Sequence, residues 1–447
     1  MSEAAAQPQI GIVPLFRSNA NFRNLFFSRL VSLFGDWFNL LAILALLRAL
    51  GDTSATSFAG VLVVKSLPAF VAPMAGVLVD RLPRRQLMMG ADALRTLIVL
   101  GMLSLVWVPS LPLLYTLIVL QTLLGSLFEP ARNALLPDLV EPRALTAANA
   151  ASAASWSLML AIGSALGGLF TDAFGWQAAL LLDASTYVGS VIFLAHIADP
   201  PPMERAPIGT GGLADWLGIR DLIEGVRFML GRPRVWTLAL VKPIWQVTGA
   251  RVLVLTLLGE GVFLVHGWPL LAVSVLFVAR GIGTGVGPFL SRWLTRSDPA
   301  AMERALIPAF VVAGLFYVVA GLAPSLWIAA PAIILAHLGG ATIWVFSAIR
   351  LQQILPSRVR GRVFASEHAG LTLVLAGATG VFGPLADAMP EWLDGTALVW
   401  VDASGDAGFA TARWLMVSLG VLTFLPLGLW ILRGMWLGWG GPMESMD

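Results

Sequence analysis

The chain contains no cysteine. A disulfide framework, a thiolate nucleophile and a cysteine-ligated metal are therefore excluded at the outset. Charge is nearly as scarce: Asp, Glu, Lys and Arg together make up 12% of the 447 residues, against about 25% in a soluble domain. Only two of the 28 basic residues are lysine, Lys65 and Lys242, and only three residues are tyrosine. The basic residues are scattered and the formal net charge is +2, so there is no footprint for nucleic acid. His-Glu-x-x-His, Gly-x-Ser-x-Gly and P-loop motifs are missing, so neither an enzyme nor a built-in ATPase is expected, and no cofactor or metal is implied.

Apolar residues are what the chain has instead. They account for 57% of it, and the mean hydropathy is +0.82. Crossing a bilayer takes roughly 20 mostly apolar residues, and lipid leaves no bare backbone group satisfied. Such runs fall at 22–48, 56–80, 86–108, 111–134, 146–171, 176–197, 236–265, 268–294, 304–322, 325–350, 363–389 and 410–433. They lack sustained two-residue alternation, so they read as helices rather than barrel strands. The sequence thus predicts an all-α membrane protein with twelve transmembrane helices. No cleavable signal is expected: residues 1–15 lack a basic segment, and the first apolar run is long and carries Asp36.

Loop arginines orient the bundle. Arg81, Arg84, Arg85, Arg143, Arg205, Arg220, Arg227, Arg232, Arg234, Arg292, Arg296, Arg304, Arg358, Arg360 and Arg362 fall in loops on one side, with Arg17, Arg23 and Arg433 at the chain ends. The opposite loops hold Arg48 and Arg413 at their edges, and the last of them, near 390–409, is acidic. Both termini are expected in the cytoplasm of a multi-pass plasma membrane, the bacterial inner membrane. Alternation followed by Ser404-Gly405-Asp406 hints at a short hairpin in the acidic loop, although an ordinary solvated connector fits better.

The longest inner loop divides the chain into 1–197, 198–235 and 236–447. It opens on Asp199-Pro200-Pro201-Pro202 and continues through a Gly-rich stretch to an amphipathic segment over 213–230. That segment either lies on the inner membrane surface or packs under the bundle. The flanking parts repeat: an offset of 215 carries Lys65, Pro73 and Arg81 onto Arg280, Pro288 and Arg296, and Asp36 onto Arg251. An offset of 218 carries Phe128 and Arg132 onto Phe346 and Arg350. Two six-helix halves in a parallel repeat are a transporter arrangement, with a site near the midplane between them.

The loop Gly76-Val77-Leu78-Val79-Asp80-Arg81-Leu82-Pro83-Arg84-Arg85 resembles the signature loop of the major facilitator superfamily, with Pro83 in place of the usual Gly. Gly163-Ser164-Ala165-Leu166-Gly167-Gly168 is similar to that family's antiporter motif, with Ser164 in place of Pro. Phe128-Glu129-Pro130-Ala131-Arg132-Asn133-Ala134-Leu135-Leu136-Pro137, together with Lys65-Ser66-Leu67-Pro68, resembles the branch of enterobactin exporters and macrolide efflux pumps, with lysophospholipid transporters as near relatives. The resemblance implies a monomeric carrier that rocks its two halves around a central cavity, commonly driven by protons. It also implies a gate at Gly76, Asp80, Arg81, Arg84, Arg85 and Arg132, where Asp80 meets the start of the eleventh helix. A carboxylate is favoured at such a helix N-terminus; the competing reading is that these charges only set topology.

Charges inside the spans each cost about 2.5–3.5 kcal/mol to insert and so mark function by default. Asp36 and Arg251 are repeat-related and lie in spans resembling the cavity-lining first and seventh helices. They are expected to face each other, either as a proton-sensitive pair or as a fixed structural one, with Asp183 and Glu367 as further proton-coupling candidates. Lys65 and Arg280 are expected to attract an anionic group of the substrate, or to pair with internal carboxylates. Asp92 and Arg95, one turn apart, are expected to neutralise each other. Trp37, Trp245 and Trp344 lie deep enough to stack on a bulky ligand, whereas most other tryptophans fit an interfacial belt. His337 reads as a satisfied packing residue more than a relay. The expected function is a proton-coupled exporter of amphipathic small molecules, anionic or neutral, of drug or siderophore type. A lipid or lysophospholipid transporter is the alternative, and a non-transporting receptor or scaffold the reading from another class.

Overall fold

The computed structural model describes residues 10–66, 78–79, 82–198, 219–296, 298–393 and 408–441. Its regular elements are helical, and no strand is present among the described residues. In chain order they are α1 (Ile12–Ser18), α2 (Ala20–Ala49), α3 (Ala55–Val64), α4 (Arg84–Met102), α5 (Leu111–Leu139), α6 (Leu145–Ala195), α7 (Ile219–Leu230), α8 (Pro233–Trp245), α9 (Arg251–Leu257), α10 (Leu271–Thr295), α11 (Pro299–Leu322), α12 (Leu326–Ile354), α13 (Ser357–Leu393), α14 (Gly408–Leu422) and α15 (Phe424–Leu437). Polar caps set several starts: the side chains of Asn19, Ser54, Ser110 and Asp298 accept backbone N–H groups from the first turns of α2, α3, α5 and α11.

Ten described helical segments are long and apolar enough to cross a membrane. The longest, α6, contains two of the expected runs. It breaks at Gly175, which takes φ 83° and ψ 165°, a conformation open to a residue without Cβ. The apolar α3 is the described part of the second run. The seventh run is irregular: after α8 come a 3₁₀ turn (Gln246–Thr248), the short α9 and a π turn (Leu258–Val262). Pro243 removes a backbone donor just before the first of these turns.

The helices before the linker form one packed group, with α2 against α6 and α4 against α5 and α6; those after it form another, with α12 against α10 and α11, α14 against α11, and α8 against α13. The groups meet along α6–α10 and α3–α13. Small residues permit these approaches. A Cβ on Gly168 would overlap the Ser274 hydroxyl, and one on Gly383 would come 2.6 Å from Ala59.

Burial is asymmetric across the membrane. On the side away from the termini, here the distal face, one apolar core runs through both groups, from Phe38–Leu47 and Phe58 to Leu253–Leu258, Phe277 and Leu415–Leu419. Toward the terminal face each group has its own core, one around Phe22, Phe128 and Leu194, the other around Val235, Phe310 and Trp430. The groups are thus fused distally and separately packed on the terminal side.

The linker helix α7 packs under the bundle against α13. Glu224 pairs with Arg362 at 2.9 Å and Leu222 accepts from Ser366, while Ile223, Val226 and Leu230 remain exposed. The rest of the expected 213–230 segment lies outside the described residues, as do Gly76, Asp80, Arg81 and the acidic stretch 394–407.

Candidate functional site

The buried charges of the first group converge on Arg95 of α4. Its Nη2 donates to Asp36 Oδ1 at 2.6 Å and to the Tyr187 hydroxyl at 2.7 Å, and its Nη1 donates to Asp92 Oδ1 at 3.1 Å. Tyr187 also donates to Asp36 at 2.7 Å, and Ser190 to Asp92 at 2.6 Å. The Asp92 side chain is fully buried, whereas that of Asp36 is 37% exposed. Asp36 is therefore the accessible acidic member of this network.

Two further expected residues sit beside it. Lys65 donates to Asn39 Oδ1 at 3.1 Å. Asp183 is wholly buried; neither carboxyl oxygen has a hydrogen bond of good geometry, and the Asn39 amide is its nearest donor. An ionised carboxylate so placed carries a desolvation cost that only nearby cations and donors offset.

The second group is built differently. Arg251, at the start of α9, donates from Nη2 to Gln246 Oε1 at 2.6 Å and from Nη1 to Thr248 O and Oγ1 at 3.0 Å. Its guanidinium lies 4.1 Å over the Trp245 ring. The 3₁₀ turn supplies these acceptors. Asp36 and Arg251 therefore do not form the expected pair: each is satisfied within its own group, because Arg95 and Tyr187 lie within reach of Asp36 on adjoining helices. The hub role of Arg95 and Tyr187 was missed from sequence. Its signal was the Asp92–Arg95 spacing together with a tyrosine in a chain that has three.

Arg280 Nε and Nη1 are buried without acceptors. Glu367 is matched by Lys242 at 3.1 Å, and Lys242 also lies 5.1 Å from the Trp344 ring. His337 is bonded through Nδ1 to Ile333 O and through Nε2 to Tyr317.

On the terminal face, the described gate candidates engage their own group. Arg84 donates to Asp138 at 2.5 Å and to Ala134 O at 2.8 Å. Arg85 donates to the last carbonyls of α6, Leu194 and Ala195, where a cation suits the helix C-terminus. Glu129 bridges Arg132 and Arg29. In the second group, fully buried Glu303 accepts from Arg350, Arg433 and the Gly440 amide, tying the end of the chain to α11.

The distal face carries the polar contacts that join the groups. Asp387 of α13 accepts Ala55 N at 2.8 Å, Thr56 N at 2.9 Å and Thr56 Oγ1 at 2.5 Å, at the first turn of α3. Asp172 of α6 accepts Leu270 N at 2.9 Å, at the first turn of α10. Both the carboxylates and their amide donors, Ala55 and Leu270, are separated by 215 residues, the offset of the internal repeat. Arg48 and Glu260 form a third tie. Above it a cavity of about 490 Å³ opens between the groups, lined in part by Leu47, Arg48, Phe58, Glu260 and Asp387.

A bundle of this kind, fused at one face and carrying unequal buried charge in its two groups, is the architecture of a membrane carrier. The sequence profile of the Major Facilitator Superfamily matches residues 25–384, and the chain belongs to that superfamily. It is 24% identical to the "Uncharacterized MFS-type transporter YfiS" of Bacillus subtilis (strain 168) over 92% of this chain and 94% of the relative. It is 27% identical to the "Putative bacilysin exporter BacE" of Bacillus subtilis over 80% of this chain and 86% of the relative. In fold it is similar to a bacterial homolog of the human lysosomal transporter Spinster in an inward-facing, unoccupied conformation, with a TM-score of 0.69 and 15% identity over 94% of this chain and 98% of that one. A bacterial homologue of the iron transporter ferroportin in its inward-facing state gives a TM-score of 0.65 and 17% identity over 92% of this chain and 98% of that one. At these identities the structural likeness is one of fold. Membership is established for the superfamily; the narrower branch rests on the motifs quoted from the sequence.

Proposed function

We propose that the chain is a proton-coupled exporter of amphipathic small molecules, working as a monomer by alternating access of two halves, 1–197 and 236–447, about the linker 198–235. The terminal face is cytoplasmic in this reading, because the loop arginines concentrate there. The observation that carries the proposal is Asp183, a carboxyl buried without a well-formed hydrogen bond beside the Asp36–Arg95–Tyr187 network. In the distally closed arrangement it is suited to hold a proton. The distally open state would take its proton from the outer side, and the distally closed state would carry that proton and release it through the terminal face. A state that binds more protons gains population as pH falls, so protonation and the rocking of the halves become linked. Asp80, Arg84, Arg85 and Arg132 serve as the cytoplasmic gate in this scheme, and the exporter relative supports the outward direction.

The test is efflux or uptake in proteoliposomes under imposed pH gradients, with siderophore, macrolide and lysophospholipid substrates. Transport of a siderophore or macrolide that follows the pH gradient and needs no ATP is the expected result. Transport confined to lysophospholipid would favour the lipid alternative, and the absence of any gradient-driven flux would remove proton coupling.

A further inference from the structure

Several buried donors near the boundary between the two groups lack acceptors. Arg280 leaves Nε and Nη1 unpartnered, and the indole N–H groups of Trp245 and Trp37 are likewise buried without acceptors. Arg251 is 7% exposed and bonded only to neutral oxygens. Among the described residues, neither arginine is ion-paired: Glu367 is engaged by Lys242, and Asp36 and Asp92 by Arg95. Buried cations are ordinarily paired, and a buried donor left without an acceptor is costly. Several such donors near one another call for an acceptor-rich anion.

Arg251 and Arg280 lie close enough to feel each other's charge, and Tyr317 of α11 lies within reach of both. Trp37 of α2 meets Phe277 of α10 edge to face, with centroids 6.1 Å apart, across the boundary between the groups. Arg280 follows Phe277 by one turn of the same helix. Trp245 stacks on Arg251, so its ring buttresses the guanidinium from one side.

We propose that Arg251 and Arg280, with the indole N–H groups of Trp37 and Trp245, form a docking site for an oxyanion, a carboxylate or phosphate monoester, borne by the transported molecule. This rests on the exporter reading for its role in transport and specifies the chemistry of the substrate's polar end. The guanidinium groups supply charge and paired donors, and the indoles supply donors and flat apolar faces for the remainder of the molecule. Lys65, expected to share this task, is bonded to Asn39 in the other group, so the site is assigned to the second group with Trp37 at its edge.

The test is calorimetric binding to the purified full chain at fixed pH, with no gradient, using phenylbutyrate, phenyl phosphate and the neutral isostere phenylbutanamide. Saturable binding of at least one oxyanion, tighter than that of the amide, is expected, and the tighter of the two identifies the preferred headgroup. Arg280→Gln should weaken oxyanion binding roughly 10- to 100-fold, the loss of a charge-assisted bond, and weaken amide binding far less, while Arg280→Lys recovers part of the loss. Trp37→Phe removes one donor and no charge, and should weaken oxyanion binding about three- to tenfold. It gives a second readout should Arg280→Gln fail to fold. Equal affinity for phenylbutyrate and phenylbutanamide, an unchanged oxyanion affinity in the folded variants, or no saturable oxyanion binding would each overturn the proposal. Failure of proton coupling would leave this binding intact, so the two readings fail separately.

Discussion

Asp36→Asn is expected to abolish the dependence of transport on the pH gradient while leaving a folded protein in the membrane. Asp36 is the accessible acid of a network whose other members are buried. Asparagine keeps an acceptor for Tyr187 and Arg95 but carries no titratable charge. Arg95 retains Asp92 at 3.1 Å, so no buried cation is stranded and folding should survive. Arg95→Leu is different: it strips the cation from fully buried Asp92, a change that costs about 3–5 kcal/mol and should reduce the amount of folded protein. The measurement is the ratio of transport with and without an imposed pH gradient in proteoliposomes. For Asp36→Asn the gradient effect should fall roughly tenfold or more, a loss equivalent to about 1.4 kcal/mol of coupling. A wild-type ratio in the variant would show that Asp36 does not couple.

The second large effect concerns the distal ties. Asp172 and Asp387 each place a carboxylate on the first turn of a helix in the opposite group. A helix N-terminus rewards such an anion by about 0.3–1 kcal/mol, and by up to about 2 where it is partly buried. Replacing both with asparagine should shift the balance toward a distally open arrangement by about 0.6–3 kcal/mol, or roughly 3- to 160-fold in population ratio, with the larger share from half-buried Asp172. Leu47 and Phe58 line the distal cavity and are 2% and 4% exposed. A cysteine introduced at Leu47 should therefore react much faster with a membrane-impermeant maleimide in the double variant. Since the chain has no cysteine of its own, the label reports that position alone. An unchanged rate would mean that these contacts do not hold the distal face shut.

The fold was legible because lipid imposes a coarse rule: an apolar run of sufficient length becomes a helix. Even the boundary between the fifth and sixth spans was visible as a gap in apolarity, and Gly175 realises it as a break in α6. The internal offset of 215 was legible as well, yet it was applied to the wrong charges. It pointed to Asp36 and Arg251, which lie in matching spans but face different neighbours. The same offset links Asp172 with Asp387, two ordinary acidic residues at span ends, whose partners are backbone amides and so carry no residue-type signal. Periodicity says which residues lie at equal depth; it does not say which way a side chain turns, and Arg95 could be found as a hub only once α2, α4 and α6 were packed together. The orphaned donors of Arg280, Trp37 and Trp245 are a property of three-dimensional accounting and have no counterpart in the sequence.

The central claim is that protonation in the first group and the rocking of the two groups are one linked equilibrium. The direct test is the separation of spin labels on the distal face, at cysteines replacing exposed Val108 and Leu322, measured by electron–electron resonance as a function of pH in lipid nanodiscs without substrate. Acidification should enrich the short distal distance, because the distally closed state holds Asp183 in a site suited to its protonated form, and Asp183→Asn should flatten that dependence. A distance distribution in the unaltered network that does not change with pH would contradict the account.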